Sequence, residues 1–176
     1  MKLVIRADDV GYSDVCNLGA FETIERGVVT SMDVMLDTPG TENALQRLRH
    51  YPWISVGWHT HFWGSPILGA EAVPTLFSRE RGGFRTDIYT AQDVSFQEAL
   101  AECRAEIARC CRILGRSPDV GDCMSQADSP FVGALTQVME EFHIVSNFMG
   151  VDLGPGSRIP NSPPSAKWAG RKIFIR

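Results

Sequence analysis

Residues 3–27 read Leu3-Val4-Ile5-Arg6-Ala7-Asp8-Asp9-Val10-Gly11-Tyr12-Ser13-Asp14-Val15-Cys16-Asn17-Leu18-Gly19-Ala20-Phe21-Glu22-Thr23-Ile24-Glu25-Arg26-Gly27. An apolar run of strand length passes into apolar residues at helical spacing, which is the pattern of one βα unit. The strand is expected over residues 2–7. The helix is expected over 15–26, with Leu18, Phe21 and Ile24 inward and Gly27 in the C′ position. Between them stand two adjacent carboxylates, Asp8 and Asp9. Neighbouring like charges disfavour each other's ionisation, so such a pair is relieved by a cation or a proton. A cation on one carboxylate leaves the other free as a base. The plainer alternative is a helix cap, because Asp is favoured there.

Working outward, the βα pattern repeats. A strand is expected over 28–36, followed by a helix opened by Pro39-Gly40-Thr41 with Ala44, Leu45 and Leu48 on one face. Tyr51-Pro52 ends it, since the residue before proline avoids the α region. A third strand covers 54–59. The irregular stretch from 61 to about 92 carries Phe62, Trp63, Leu68, Leu76, Phe77 and Phe84, too many apolar groups for disorder, and is expected to be an ordered loop on the substrate side. Ser95-Phe96-Gln97-Glu98 is a capping box opening the clearest helix, which Gly115 closes. A strand over 119–124 follows, then a helix begun by Ser129-Pro130 and running through Phe142. Strands over 144–149 and 172–176, separated by a proline-glycine loop over 154–164, complete the pattern.

This alternation predicts an α/β fold around a parallel sheet, in a single domain spanning residues 1–176. Two architectures remain open: a (β/α) barrel whose last strand-helix units are missing, and an open sheet ending on an edge strand. An incomplete barrel would expose apolar strand faces and favour a homo-oligomer. Hydrophobic content of 44%, charged content of 22% and a net charge of −4 give no reason to expect nucleic acid or a membrane as partner. No signal peptide or apolar segment of about 20 residues is visible. The five cysteines lack CxxC spacing and read as reduced thiols of a cytoplasmic protein, Cys103 and Cys110 being core residues.

In βα architectures, functional groups gather where strands end. That rule collects Asp8, Asp9, His59, His61, Asp122 and Cys123-Met124 on one rim. One Asp and two His suit a catalytic divalent ion with positions left for water and substrate. His59 and His61 straddle Thr60, and alternate residues on an extended chain share a face. Asp8 would then accept the proton of a water activated by the cation, a constellation suited to amide or ester hydrolysis. Trp58, Phe62 and Trp63 flank the rim, and aromatic faces stack on sugar rings. Trp63, Asp122 and Met124 are the candidate substrate contacts.

Ala7-Asp8-Asp9-Val10-Gly11-Tyr12-Ser13 resembles the opening motif of the YdjC-like (ChbG-type) carbohydrate deacetylases. Gly27-Val28-Val29-Thr30-Ser31, Gly57-Trp58-His59, Val73-Pro74-Thr75-Leu76 with Gly83-Phe84, and Arg116-Ser117-Pro118-Asp119 resemble further motifs of that family in the same order. The resemblance implies a (β/α) barrel related to glycoside hydrolase and deacetylase folds. It implies a hydrolase that uses Mg or Zn to remove N-acetyl groups from small, chitooligosaccharide-like amino sugars. It makes Asp8 the catalytic base, and Asp9 and His59 metal ligands. It departs after Asp122, where the family supplies a histidine ligand and this chain has Met124. His61 is the candidate replacement, with Asp122 or Asp128 able to complete an oxygen-rich set. A silent carbohydrate-binding protein and a metal phosphoesterase are the competing readings.

Overall fold

The computed structural model describes residues 3–148, apart from 124 and 126. In chain order the elements are β1 (Arg6–Val10), α1 (Asp14–Glu25), β2 (Ser31–Val34), α2 (Thr41–Leu48) and β3 (Ser55–Trp58). They continue with β4 (Phe77–Ser78), β5 (Gly83–Phe84), α3 (Phe96–Leu114), β6 (Val120–Cys123), α4 (Pro130–Glu141) and β7 (Val145–Phe148). Five strands form one parallel sheet in the order β1-β2-β3-β6-β7. Each strand is thus laid beside its predecessor, and right-handed crossovers then keep the helices on one face. Accordingly α1 packs on α2, α2 on α3, and α3 on α4. Among the described residues the sheet is open, with β1 and β7 as its edges. Met124, the loop over 154–164 and the strand expected over 172–176 lie outside the described residues.

Strand alternation sorts the two faces of the sheet. Met32, Val34, Val56 and Trp58 are buried in the apolar core. Trp58 reaches α3, where its Nε1–H donates to Glu106 Oε2 at 2.8 Å. Gly121 lies against Met139 of α4. Asp33, Gly57 and Asp122 occupy alternate positions and so face the other way. A Cβ on Gly57 would overlap the Asp33 carboxylate, so the bare backbone of β3 makes room for that acid.

The first strand begins later than expected. Leu3 and Val4 are exposed, and the pairing with β2 starts at Arg6. Its register slips between Ala7 and Val10, so Asp8 and Asp9 occupy a β-bulge at the strand's end. Asp9 has φ +58°, a left-handed conformation that Asp tolerates better than most residues. The pair is therefore no helix cap: Ser13 caps α1, its hydroxyl accepting from Cys16 N–H at 3.2 Å. Leu18, expected inward, is exposed. Asn17 takes the buried position instead, accepting from Gly11 N–H at 2.8 Å and donating to the Gly40 carbonyl at 2.9 Å. A polar side chain wins there because it satisfies two loop backbone groups that water cannot reach. Gly27 is not left-handed; a Cβ there would stand 2.5 Å from the Thr23 carbonyl.

The stretch from 61 to 92 is ordered, as expected, around Val73, Leu76, Phe84 and Ile88, all buried, with β4 and β5 as a small hairpin. The capping box of α3 is wired differently from its simplest form. The Ser95 hydroxyl accepts from Glu98 N–H, but Ser95 N–H donates to Thr75 Oγ1 at 2.9 Å, and Thr75 Oγ1–H donates to Glu98 Oε2 at 2.7 Å. The loop threonine is inserted between the two halves of the box. Replacing Thr75→Val breaks this relay and should cost about 1–2 kcal/mol in chemical denaturation, with little change in secondary structure by circular dichroism.

Candidate metal-binding active site

The strand ends bring four groups together beyond β1, β3 and β6. His59 continues the line of β3, its N–H donating to the Val34 carbonyl at 2.9 Å. Its ring is buried and held from both sides, Nδ1 lying 2.7 Å from Asp122 Oδ2 and Nε2 lying 3.1 Å from Asp9 Oδ1. Burial works against the charged imidazole, yet the hydrogen bond and charge of Asp122 outweigh it and raise the His59 pKa. Burial would likewise raise the Asp122 carboxyl, but the bond to His59 holds it below the ordinary value. With Nδ1 committed to Asp122, Nε2 is the ring nitrogen turned towards Asp9.

His61 arrives on the same side, its ring centroid 4.0 Å from that of His59. Phe62 then has φ +54°, and this turn sends its ring into the core among Trp58, Phe84, Tyr89 and Phe131. Of the three expected flanking aromatics, Trp58 and Phe62 are therefore core, while Trp63 is half exposed and stacks near His61 at 4.5 Å. His61 Nδ1 is buried without a hydrogen-bond partner among the described residues and lies 3.6 Å from Asp9 Oδ1. Burial, and then the neighbouring His59, lower its pKa, which favours the uncharged imidazole. A buried, neutral and unpartnered nitrogen aimed at a carboxylate is costly as it stands and is what a cation would satisfy. Donor atoms of Asp9, His59 and His61 all lie within 4.8 Å of one another, so the residues fit a divalent ion.

Asp8 stands apart from this cluster. Arg6 Nε holds it at 2.6 Å, and Arg6 Nη1 lies 2.8 Å from Oδ2 of the fully buried Asp33. Asp8, Asp33 and His59 form a second group of converging donors, but Arg6 already brings a positive charge there. Burial pushes the Asp33 carboxyl up to about 7 in spite of that arginine. Neither Arg6 nor Asp33 was singled out from sequence; a charged residue inside each of the first two strands was the available signal.

Two expectations need correction. Asp122 was expected to touch substrate, but it is fully buried behind His59, with Oδ2 on that ring and Oδ1 accepting from Thr60 N–H at 2.9 Å. Asp128 is exposed and belongs to neither group of converging donors.

An open parallel sheet with an Asp-His-His cluster beyond its strand ends defines the class as an α/β protein with a candidate metal-binding rim. The YdjC-like protein family model matches residues 2–169, and the chain belongs to that family. A carbohydrate deacetylase of Brevibacillus brevis is 37% identical over 110 residues, covering 62% of this chain and 43% of that protein. A chitooligosaccharide deacetylase of Serratia marcescens is 32% identical over 121 residues, covering 66% and 46%. The matched stretch thus spans less than half of these curated relatives. A crystal structure from Enterococcus faecalis V583, provisionally named a cellobiose-phosphate cleavage protein, is similar at 27% identity with a TM-score of 0.67, covering 81% of this chain and 57% of that one. No helix of the described residues is long and apolar enough to cross a membrane.

Replacing Asp122→Ala should weaken zinc or magnesium binding about 10–100-fold, measured by calorimetry, because the His59 ring loses its orienting partner. Asp33 supplies a stability test. Its folded pKa of about 7 lies above the ordinary 3.8, so its contribution is present below pH 3.8 and is lost as pH rises through about 7. In the presence of a chelator, Asp33→Asn should flatten that part of the decline in denaturation midpoint.

Proposed function

We propose that this chain carries the metal-binding half of a carbohydrate N-deacetylase that hydrolyses the acetamido group of small amino sugars. The observation that carries the reading is the buried, unpartnered Nδ1 of His61, converging with His59 Nε2 on Asp9. The names of the curated relatives supply the reaction class and substrate. Asp9, His59 and His61 would hold the ion, with His61 in the role of the histidine that the family has where this chain has Met124. Two imidazoles and one carboxylate favour zinc over magnesium, which prefers oxygen ligands. When bound, the ion supplies Lewis acidity towards the acetyl carbonyl and lowers the pKa of water.

The protein's own residues do the rest. Asp122 fixes the tautomer and angle of His59. Asp8, half exposed at the rim and steered by Arg6, accepts the proton of the attacking water. As the water oxygen bonds to the acetyl carbon and the C–N bond breaks, Asp8 returns that proton to the leaving amine. Trp63 offers an aromatic face beside the reacting group. The five parallel strands, added in chain order, are read as part of a (β/α) barrel formed by one domain.

Acetate release from N-acetylglucosamine and its β-1,4-linked disaccharide, N,N′-diacetylchitobiose, tests the activity. Asp8→Asn should lower kcat by about 10²–10⁴-fold while the metal content measured by mass spectrometry stays stoichiometric. His61→Ala should lose both metal and activity. Phosphate release from a sugar phosphate in place of acetate release would replace the deacetylase with a phosphoesterase. A protein that binds sugar but no metal would be a silent carbohydrate-binding relative.

A further inference from the structure

Beneath Asp8 a chain of contacts runs from the rim into the buried layer of the sheet. Asp33, on β2, has a side chain that is fully enclosed, while those of Arg6 and Asp8 are 18% and 43% exposed. Arg6 Nε lies 2.6 Å from Asp8 Oδ1, and Nη1 of the same guanidinium lies 2.8 Å from Asp33 Oδ2. One planar fork thus spans a rim acid and a buried acid. An ion pair between partly exposed groups is weak and leaves both side chains mobile. A second contact to a fixed acid changes this, because a guanidinium held at two of its nitrogens has lost its rotational freedom. Asp33 is confined in turn: it faces Gly57 across the pairing of β2 with β3, where a Cβ would overlap its carboxylate. Asp8 has no such support from its own strand, since the register slip between Ala7 and Val10 takes it out of regular pairing. Burying a carboxylate is costly, so packing does not account for Asp33.

We infer that Asp33 is a positioning residue for the candidate base: seated beside Gly57, it fixes the Arg6 guanidinium, which in turn fixes the direction of the Asp8 carboxylate. A carboxylate that takes a proton from water and returns it to an amine works only from a narrow range of positions. A misplacement of about 1 Å can cost about 10²-fold in rate. Donor atoms of Asp8, Asp33 and His59 all lie within 4.8 Å of one another. The two nitrogens of His59 are nevertheless taken by Asp122 and Asp9, which leaves Arg6 as the group through which Asp33 acts. This inference rests on the deacetylase reading for its reaction, but the holding of Asp8 is tested apart from turnover.

A double-mutant cycle of Asp33→Asn, Arg6→Lys and the combined variant, run at pH 8 and so above the Asp33 pKa of about 7, decides the matter. Lysine keeps a positive charge beside the buried acid, but a point charge cannot span both carboxylates. Thermal unfolding verifies that each variant is folded. On N,N′-diacetylchitobiose each single variant should lower kcat about tenfold, with KM within about twofold and metal content by mass spectrometry unchanged. The combined variant should lose no more than either alone. Crystal structures should show the Arg6–Asp8 contact of the wild type lost in Asp33→Asn. Single losses that multiply to about a hundredfold, a change in KM without one in kcat, or metal lost from Asp33→Asn overturns the positioning role. A wild type that releases no acetate, with the contact still dependent on Asp33, removes the deacetylase reading and leaves the anchoring of Asp8 standing. Acetate release with the contact intact in Asp33→Asn does the reverse.

Discussion

The carboxylate of Asp122, wholly enclosed at the end of β6, accepts from His59 Nδ1 at 2.7 Å and from Thr60 N–H at 2.9 Å. The Thr60 hydroxyl adds a third tie, donating to the Asp122 carbonyl at 2.6 Å. These bonds join the chain leaving β3 to β6 just beyond the short stretch where the two strands pair. Without them the His59 ring would be free to rotate, and a buried anion would be left unpaired, which costs several kcal/mol in general. Because they hold, His59 Nε2 points at Asp9 and the alternation of the chain delivers His61 to the same place. The candidate site and the closure of the sheet's centre are one hydrogen-bonded unit.

A second set of acids performs a related task on the outer layer. Glu98, Glu102 and Glu106 recur every four residues along α3 and line one face. Glu98 receives the Thr75 N–H at 2.8 Å, and Glu102 receives the N–H groups of Ile67 and Leu68 at 2.5 and 3.1 Å. Asp37, after β2, receives Gly64 N–H at 2.6 Å. The long loop between β3 and α3 is thereby tied down through its backbone, which explains why a stretch with so little secondary structure can carry the wall of a cleft. Burial raises the pKa of Glu102, Asp37 and Glu106 alike. Glu106 accepts from Trp58 Nε1–H, whereas the other two take backbone donors, and each of these bonds works against the rise by favouring the anion.

Much of this was legible in the residues. The βα order, the ordered loop, the Ser95 and Ser129 caps, the closing Gly115 and the core positions Phe21, Cys103 and Cys110 all follow from local rules of spacing and capping, and the structure has them. The rim of Asp9, His59 and His61 was legible for the same reason, since strand ends converge by topology. The errors share a different cause. Leu18 is exposed and Asn17 buried because two distant backbone groups, at Gly11 and Gly40, needed partners. Asp122 lies behind the histidine because the His59 ring and the Thr60 N–H, on the chain leaving the neighbouring strand, take up its two carboxylate oxygens. Such choices are made by contacts between elements, which periodicity does not encode.

The sequence by itself determined that strands and helices alternate, that acids and imidazoles meet at one rim, and that Asp8 and Asp9 stand at the end of its first strand. Tertiary structure alone decided how the labour is divided. The bulge in β1 turns Asp9 towards the histidines and leaves Asp8 to Arg6, because one extra residue in the ladder sends neighbouring side chains in directions that a regular strand would not. It also decided that a buried Asp33 sits under the site at all. A carboxylate tolerated there needs a glycine opposite and an arginine beside it, and those three residues, 6, 33 and 57, come together only once three strands are paired.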